Sequence, residues 1–228
     1  MTALQFEVLT VEPEQFAVTP NLLVTLRITE QSAAQVHAIV LNCQIRIEPQ
    51  RRRYSDEEAA GLRDLFGPRE QWASAVRAFQ WLHTATTVPG FVGSYDATLP
   101  IPCTYDFEVT AAKYLHALDR AENDGNGPQG EVPLVPLVFL FSGSVFTRSG
   151  AGIHVERVPW HCEASYDMPV KVWHDLIAQH YPNSGWLRLD TDTMNALLRF
   201  KAAKGLTTLD AAVSLLLLHE RDAGEVPK

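Results

Sequence analysis

The chain has 228 residues, 46% of them hydrophobic, enough to bury the core of one large domain or of one domain with a smaller appendage. Its formal net charge of -8, from 27 acidic and 19 basic residues, weighs against nucleic acid as the main partner, because phosphate binding relies on clustered cations. No window approaches the roughly 18 consecutive apolar residues of a membrane span. The first residues lack a basic stretch followed by an apolar run, and three cysteines suit a reducing compartment better than a disulfide framework. The expected setting is the cytoplasm, with neither membrane nor nucleic acid as partner.

Residues 1–50 read as three strands. Leu22, Val24, Leu26 and Ile28 alternate with Leu23, Thr25, Arg27 and Thr29 after the turn signal Thr19-Pro20-Asn21. A longer alternation covers residues 36–54. Ile39, Leu41, Cys43, Ile45 and Ile47 lie on one parity, and Asn42, Gln44 and Arg46 lie on the other, as in a strand with one buried face. It leads into Arg51, Arg52 and Arg53, a local basic spot on an acidic chain. Ser55 with Glu58 then forms a capping box, and Ala59, Leu62 and Leu65/Phe66 recur at helical spacing. Gly67-Pro68 ends that helix. Trp72, Val76, Phe79 and His83 predict a second, with Pro89-Gly90 as its limit, so that residues 55–84 read as a helical insertion.

Strand character returns at Ile101, Cys103, Tyr105, Phe107 and Val109, followed by a short helical stretch over 112–118 and a polar, glycine-rich loop over 121–130. Residues 135–146 are apolar on both parities, which predicts a strand covered by the opposing sheet on one face and by helices on the other. Residues 153–160 predict its hairpin partner through Ser149-Gly150-Ala151-Gly152. Pro169 opens a helix carrying Val172/Trp173, Leu176/Ile177 and His180. Asp190 caps one carrying Met194, Leu197, Leu198 and Lys201, and Thr208 caps a last helix through Leu218. Its run Leu215 to Leu218 covers more than one face and is expected to pack internally rather than meet a partner. The fold class is α+β: an immunoglobulin-like β-sandwich of about seven strands over residues 1–165, and a helical region over 166–228 packed on it.

Several motifs imitate chemistry without its context. Gly125-Asn126-Gly127-Pro128-Gln129-Gly130 has the letters of a dinucleotide fingerprint, but a helical stretch precedes it, Pro128 removes an amide and a strand follows. As a calcium loop it lacks the last-position Glu, where Pro133 stands. Ser142-Gly143-Ser144 lies inside an apolar strand and not at a nucleophile elbow. Cys43, Cys103, Cys162, His161, His154 and His116 show no chelating spacing, so no metal and no cofactor is assigned. Cys43 and Cys103 fall on the apolar parity as core residues. His161 and Cys162 are the weak candidates for a metal site or for a thiol beside a base. Asp106 and Glu108 share a strand face and could form a carboxylate pair, solvated acids being the commoner case. The five tryptophans are dispersed and read as core. No catalytic residue is assigned. The candidate site is an interaction surface made of Asn42, Gln44, Arg46, Arg51, Arg52 and Arg53.

Two resemblances accompany this reading. Residues 186–218, with strand-like Trp186-Leu187-Arg188-Leu189, a helix, the turn Lys204-Gly205-Leu206 and a second helix, look like a ribbon-helix-helix repressor module. Their balanced charge leaves no basic ribbon for DNA, and the likeness implies a homodimer more readily than DNA binding. Residues 41–55, Asp64-Leu-Phe-Gly67, residues 102–106, residues 141–146 and Pro169-Val-Lys-Val-Trp173 resemble an uncharacterised family of actinobacterial proteins, often encoded near nickel–iron hydrogenase and its maturation genes. That resemblance implies a cytoplasmic accessory role with a hydrogenase subunit or maturation factor as partner. The leading expectation is a non-enzymatic binding or assembly protein. A small metal- or thiol-dependent enzyme using His161/Cys162 and a DNA-binding regulator using the C-terminal helices stand as alternatives.

Overall fold

The computed structural model describes residues 3–32, 34–103, 109–123, 133–149, 152–182, 185 and 188–224. The period-two segments pair into two antiparallel sheets. β1 (Leu4–Pro13), β2 (Asn21–Glu30) and β5 (Ser94–Pro102) form the first, in the order β1-β2-β5. The second runs β4-β3-β6-β7, from β3 (Val36–Ile47), β4 (Phe79–Phe91), β6 (Leu134–Ser149) and β7 (Gly152–Arg157). β8 (Glu163–Pro169) pairs with the first half of β6, while β7 pairs with its second half.

The alternation fixes which face is buried. Leu22, Val24, Leu26 and Ile28 of β2 and Ile39, Leu41, Cys43, Ile45 and Ile47 of β3 all enter one core, where each large aliphatic side chain contributes about 1.5–3 kcal/mol. Phe6 of β1 stacks on Phe141 of β6 with ring centroids 4.3 Å apart, which ties the two sheets together. Helices supply the rest of this core. α1 (Asp56–Gly61) carries the expected capping box: the Glu58 amide donates to Ser55 Oγ at 3.1 Å, and the Ser55 amide donates to Glu58 Oε2 at 2.9 Å. Leu62 and Phe66, at the two ends of α2 (Arg63–Phe66), are buried. α4 (Thr110–Asn123) buries Ala111, Tyr114, Leu115 and Leu118, and α5 (Val170–His180) buries Val170, Trp173, Leu176 and Ile177, both at the spacing of one helical face.

The second predicted helix is corrected. Only α3 (Trp72–Ala75) forms, and Phe79–Phe91 is β4, hydrogen-bonded along β3. The spacing of Trp72, Val76, Phe79 and His83 matched a helix, yet residues 84–88 are rich in threonine and valine, and the open side of β3 offered a ladder. Tertiary pairing decided the outcome. The cover over β6 also differs from expectation. On its outer parity Pro136 and Val138 are buried and Leu140 is half-buried, but Ser142 is exposed. Its second half therefore presents a solvent face.

The chain divides into two compact units, Met1–Trp186 and Leu187–Lys228, so α5 belongs with the sheets. The second unit is a hairpin of α6 (Thr191–Ala203) and α7 (Leu209–Gly224). Gly205 turns the chain at φ 64°, and Thr208 Oγ1 accepts from the Ala211 amide at 3.1 Å.

Candidate docking surface

The central position of β3 places Asn42, Gln44 and Arg46 in the middle of the outer sheet face. Asn42 stands between Ala85 of β4 and Ser142 of β6, Gln44 between His83 and Leu140, and Arg46 between Gln80 and Val138. Asn42, His83, Ala85, Thr87 and Ser142 are exposed. The Gln44 amide donates to Gln80 Oε1 at 3.0 Å. This is a mainly polar face whose β3 backbone is hydrogen-bonded to β4 on one side and β6 on the other.

The arginine run does not behave as a unit. Glu48 is followed by a 3-10 turn, Pro49–Arg51, where Arg51 is exposed and lies 3.7 Å from Glu48. Arg53 is exposed as well. Arg52 turns inward. Its guanidinium meets Glu58 at 2.5 Å and covers the Tyr54 ring at 4.7 Å from the centroid. Tyr54 donates its hydroxyl to the Pro49 carbonyl at 2.8 Å and lies 2.7 Å from the Tyr114 hydroxyl. Burial is the largest cause pushing both phenols up. Arg52 thus joins the 3-10 turn to α1 and α4, and Arg51 and Arg53 are the exposed members of the run.

His161 and Cys162 lie in the connection between β7 and β8, where the chain passes the middle of β6. The Val158 amide donates to the Gly143 carbonyl at 3.0 Å, and the Phe141 amide donates to the Cys162 carbonyl at 3.1 Å. His161 is exposed, while Cys162 is buried with its Sγ 3.7 Å from the Leu4 carbonyl oxygen. Burial pushes the Cys162 thiol up, the opposite of an activating environment. Cys43 and Cys103 are buried, with their thiols pushed up to about 12. Among the described residues no group of three or more His, Cys, Asp or Glu converges on a metal-sized site. Asp106, Glu108 and the loop 125–130 lie outside the described residues.

The same connection carries a residue that sequence reasoning assigned to the core. Trp160 is 94% exposed, and its ring stands perpendicular to that of His161 at 5.8 Å. Its connection is hydrogen-bonded to β6 at Gly143 and Phe141, on either side of Ser142, whose neighbour on β3 is Asn42. The available signal was Pro159, which cannot donate to a ladder and so takes the next residue off the strand.

Among the described residues no helix is long and apolar enough to cross a membrane. A protein of solved structure from Archaeoglobus fulgidus is similar at a TM-score of 0.25 and 7% identity, over 71% of this chain and 96% of that one. The selenomethionine-labelled β-glucosidase from Kluyveromyces marxianus is similar at a TM-score of 0.24 and 10% identity, over 73% of this chain and 15% of that one. Likenesses at this level carry no argument about fold or activity. No curated protein matches the chain. The match that spans both units is to a family model, that of the family of unknown function DUF6084, which covers residues 1–225, and the chain belongs to that family.

Proposed function

We propose that this protein is a non-enzymatic binding or assembly factor that docks another protein on the outer face of its five-stranded sheet. The observation that carries the reading is the exposure of Trp160 beside the Asn42–Ser142 row. A tryptophan held off a rigid sheet is the residue type on which interface energy most often concentrates, and the neighbouring polar face supplies the hydrogen-bonding rim. Arg51 and Arg53 add positive charge against an otherwise acidic chain, which favours an acidic patch on the partner. A hydrogenase subunit or maturation factor is the partner class in this reading, supported by the resemblance to proteins encoded near nickel–iron hydrogenase. A cytoplasmic setting belongs to the same reading, and three free buried thiols support it. So does an immunoglobulin-like sandwich, supported by the facing orders β1-β2-β5 and β4-β3-β6-β7.

The test is affinity recovery from the native host followed by mass spectrometry, comparing the wild type with Trp160→Ala and with Arg51→Glu/Arg53→Glu. Both variants should fold as the wild type does by circular dichroism and lose the partner. A partner recovered equally by all three proteins removes the proposal.

A further inference from the structure

Among its described residues the C-terminal unit buries almost nothing. No residue of α6 is buried, and of the α7 side chains described only Ala212 is. Leu198 is 43% exposed, and Leu216, Leu217 and Leu218 are 45, 62 and 56% exposed. A hairpin of roughly 40 residues is at the size where a disulfide, a metal or oligomerisation is usually needed for stability. The leucine run expected to pack internally is left with much of its surface in water.

Charge selects the occupant. Residues 187–228 hold six basic and six acidic residues, so the whole net charge of -8 belongs to the rest of the chain. A neutral surface has no complementarity to a strongly charged partner and suffers no net repulsion against itself. Along α6 the charges are segregated. Asp190 and Asp192 stand at its start, and Arg199, Lys201 and Lys204 at its end. Asp190 and Lys204 are about 21 Å apart along one helix and cannot pair within it. A two-fold axis across α6 runs the helix antiparallel to its copy, setting each acidic end against a basic end, whereas parallel pairing stacks like charges.

We propose that the C-terminal unit completes its core against the same unit of a second copy, with the two α6 helices antiparallel. The segregation also suits the helix dipole, and mixing charge variants separates the two effects. The full-length wild type should sediment as a dimer. Asp190→Lys/Asp192→Lys and Lys201→Asp/Lys204→Asp should each weaken the dimer at least about tenfold, since each homodimer then opposes like charges at both ends. An equimolar mixture should recover the dimer, with the heterodimer mass in native mass spectrometry. Recovery failing while both variants keep the wild-type circular dichroism overturns the proposal. Hydrogen exchange of the wild type needs no variant: α6 and α7 amides should become more protected as concentration rises. A concentration-independent monomer, or protection of residues 216–218 in that monomer, overturns it as well, the latter placing the leucines against their own chain.

Discussion

The hydroxyl of Tyr54 lies 2.7 Å from the hydroxyl of Tyr114, and the direction of that hydrogen bond is fixed by a third group. Tyr54 gives its only proton to the Pro49 carbonyl at 2.8 Å, so Tyr114 must be the donor to Tyr54. The two deletions are therefore unequal. Tyr114→Phe removes the donor to Tyr54 and should cost about 1 kcal/mol, whereas Tyr54→Phe strands the buried Tyr114 hydroxyl, leaves the Pro49 carbonyl with only the Arg52 amide at 3.4 Å, and should cost about 2 kcal/mol or more. Urea unfolding of both variants gives the comparison, and equal losses would contradict the assigned direction.

The three arginines should separate in the same assay. Arg52 and Glu58 are a largely buried pair with side chains 16% and 7% exposed. Removing one partner of such a pair leaves an uncompensated charge and costs about 3 kcal/mol or more. Arg51→Ala and Arg53→Ala alter exposed side chains and should change stability by no more than about 0.5 kcal/mol. If Arg52→Ala proves as mild as these two, the inward turn of Arg52 is wrong.

Gly143 sits at φ 140° in β6, and a Cβ there would lie 2.0 Å from the Val40 carbonyl oxygen. The clash is with backbone of the neighbouring strand, which no rotamer change relieves. Gly143→Ala should cost more than about 4 kcal/mol or abolish soluble expression, whereas Gly152→Ala, with nothing within 4 Å of its added Cβ, should stay within about 0.5 kcal/mol. Thermal melts of the two variants test this, and a benign Gly143→Ala would contradict the close approach of β3 and β6.

What the sequence made legible follows from how local each determinant is. The inward set Ile39 to Ile47 and the Ser55/Glu58 cap depend on spacing within a few residues, and both are found as expected. β4 depends on pairing with β3, some forty residues earlier, and so forms a strand although Trp72, Val76, Phe79 and His83 have helical spacing. Arg52 looks like its two neighbours until Glu58 and Tyr54 are brought to it. Trp160 has a core-forming side chain, yet it stands in the connection that runs beside Gly143 and is exposed. The candidate face was thus half legible: its polar row follows from alternation, while for Trp160 the sequence offered only Pro159 as a sign that the strand ends before it.

Glu30 supplies the clearest pH dependence. Its carboxylate is buried at the end of β2 and accepts from the Ala3 amide at 3.1 Å, the Ser32 amide at 3.0 Å, the Ser32 hydroxyl at 2.5 Å and the Ala34 amide at 2.8 Å. Burial is the largest single influence and raises its pKa, but the bonds from Ser32, Ala3 and Ala34 together outweigh it and hold the group below the ordinary range. A carboxyl depressed in the folded state contributes stability that is fully present above its unfolded pKa and is lost as pH falls through the folded value. Glu30→Gln places an amide NH2 among donors and should cost about 1–3 kcal/mol at neutral pH. The difference between wild type and variant should stay constant above about pH 5 and shrink below the ordinary glutamate value of about 4.3. Urea unfolding across that range measures it, and a difference that widens on acidification would show that the wild-type carboxyl is protonated, not ionised, in its four-donor site.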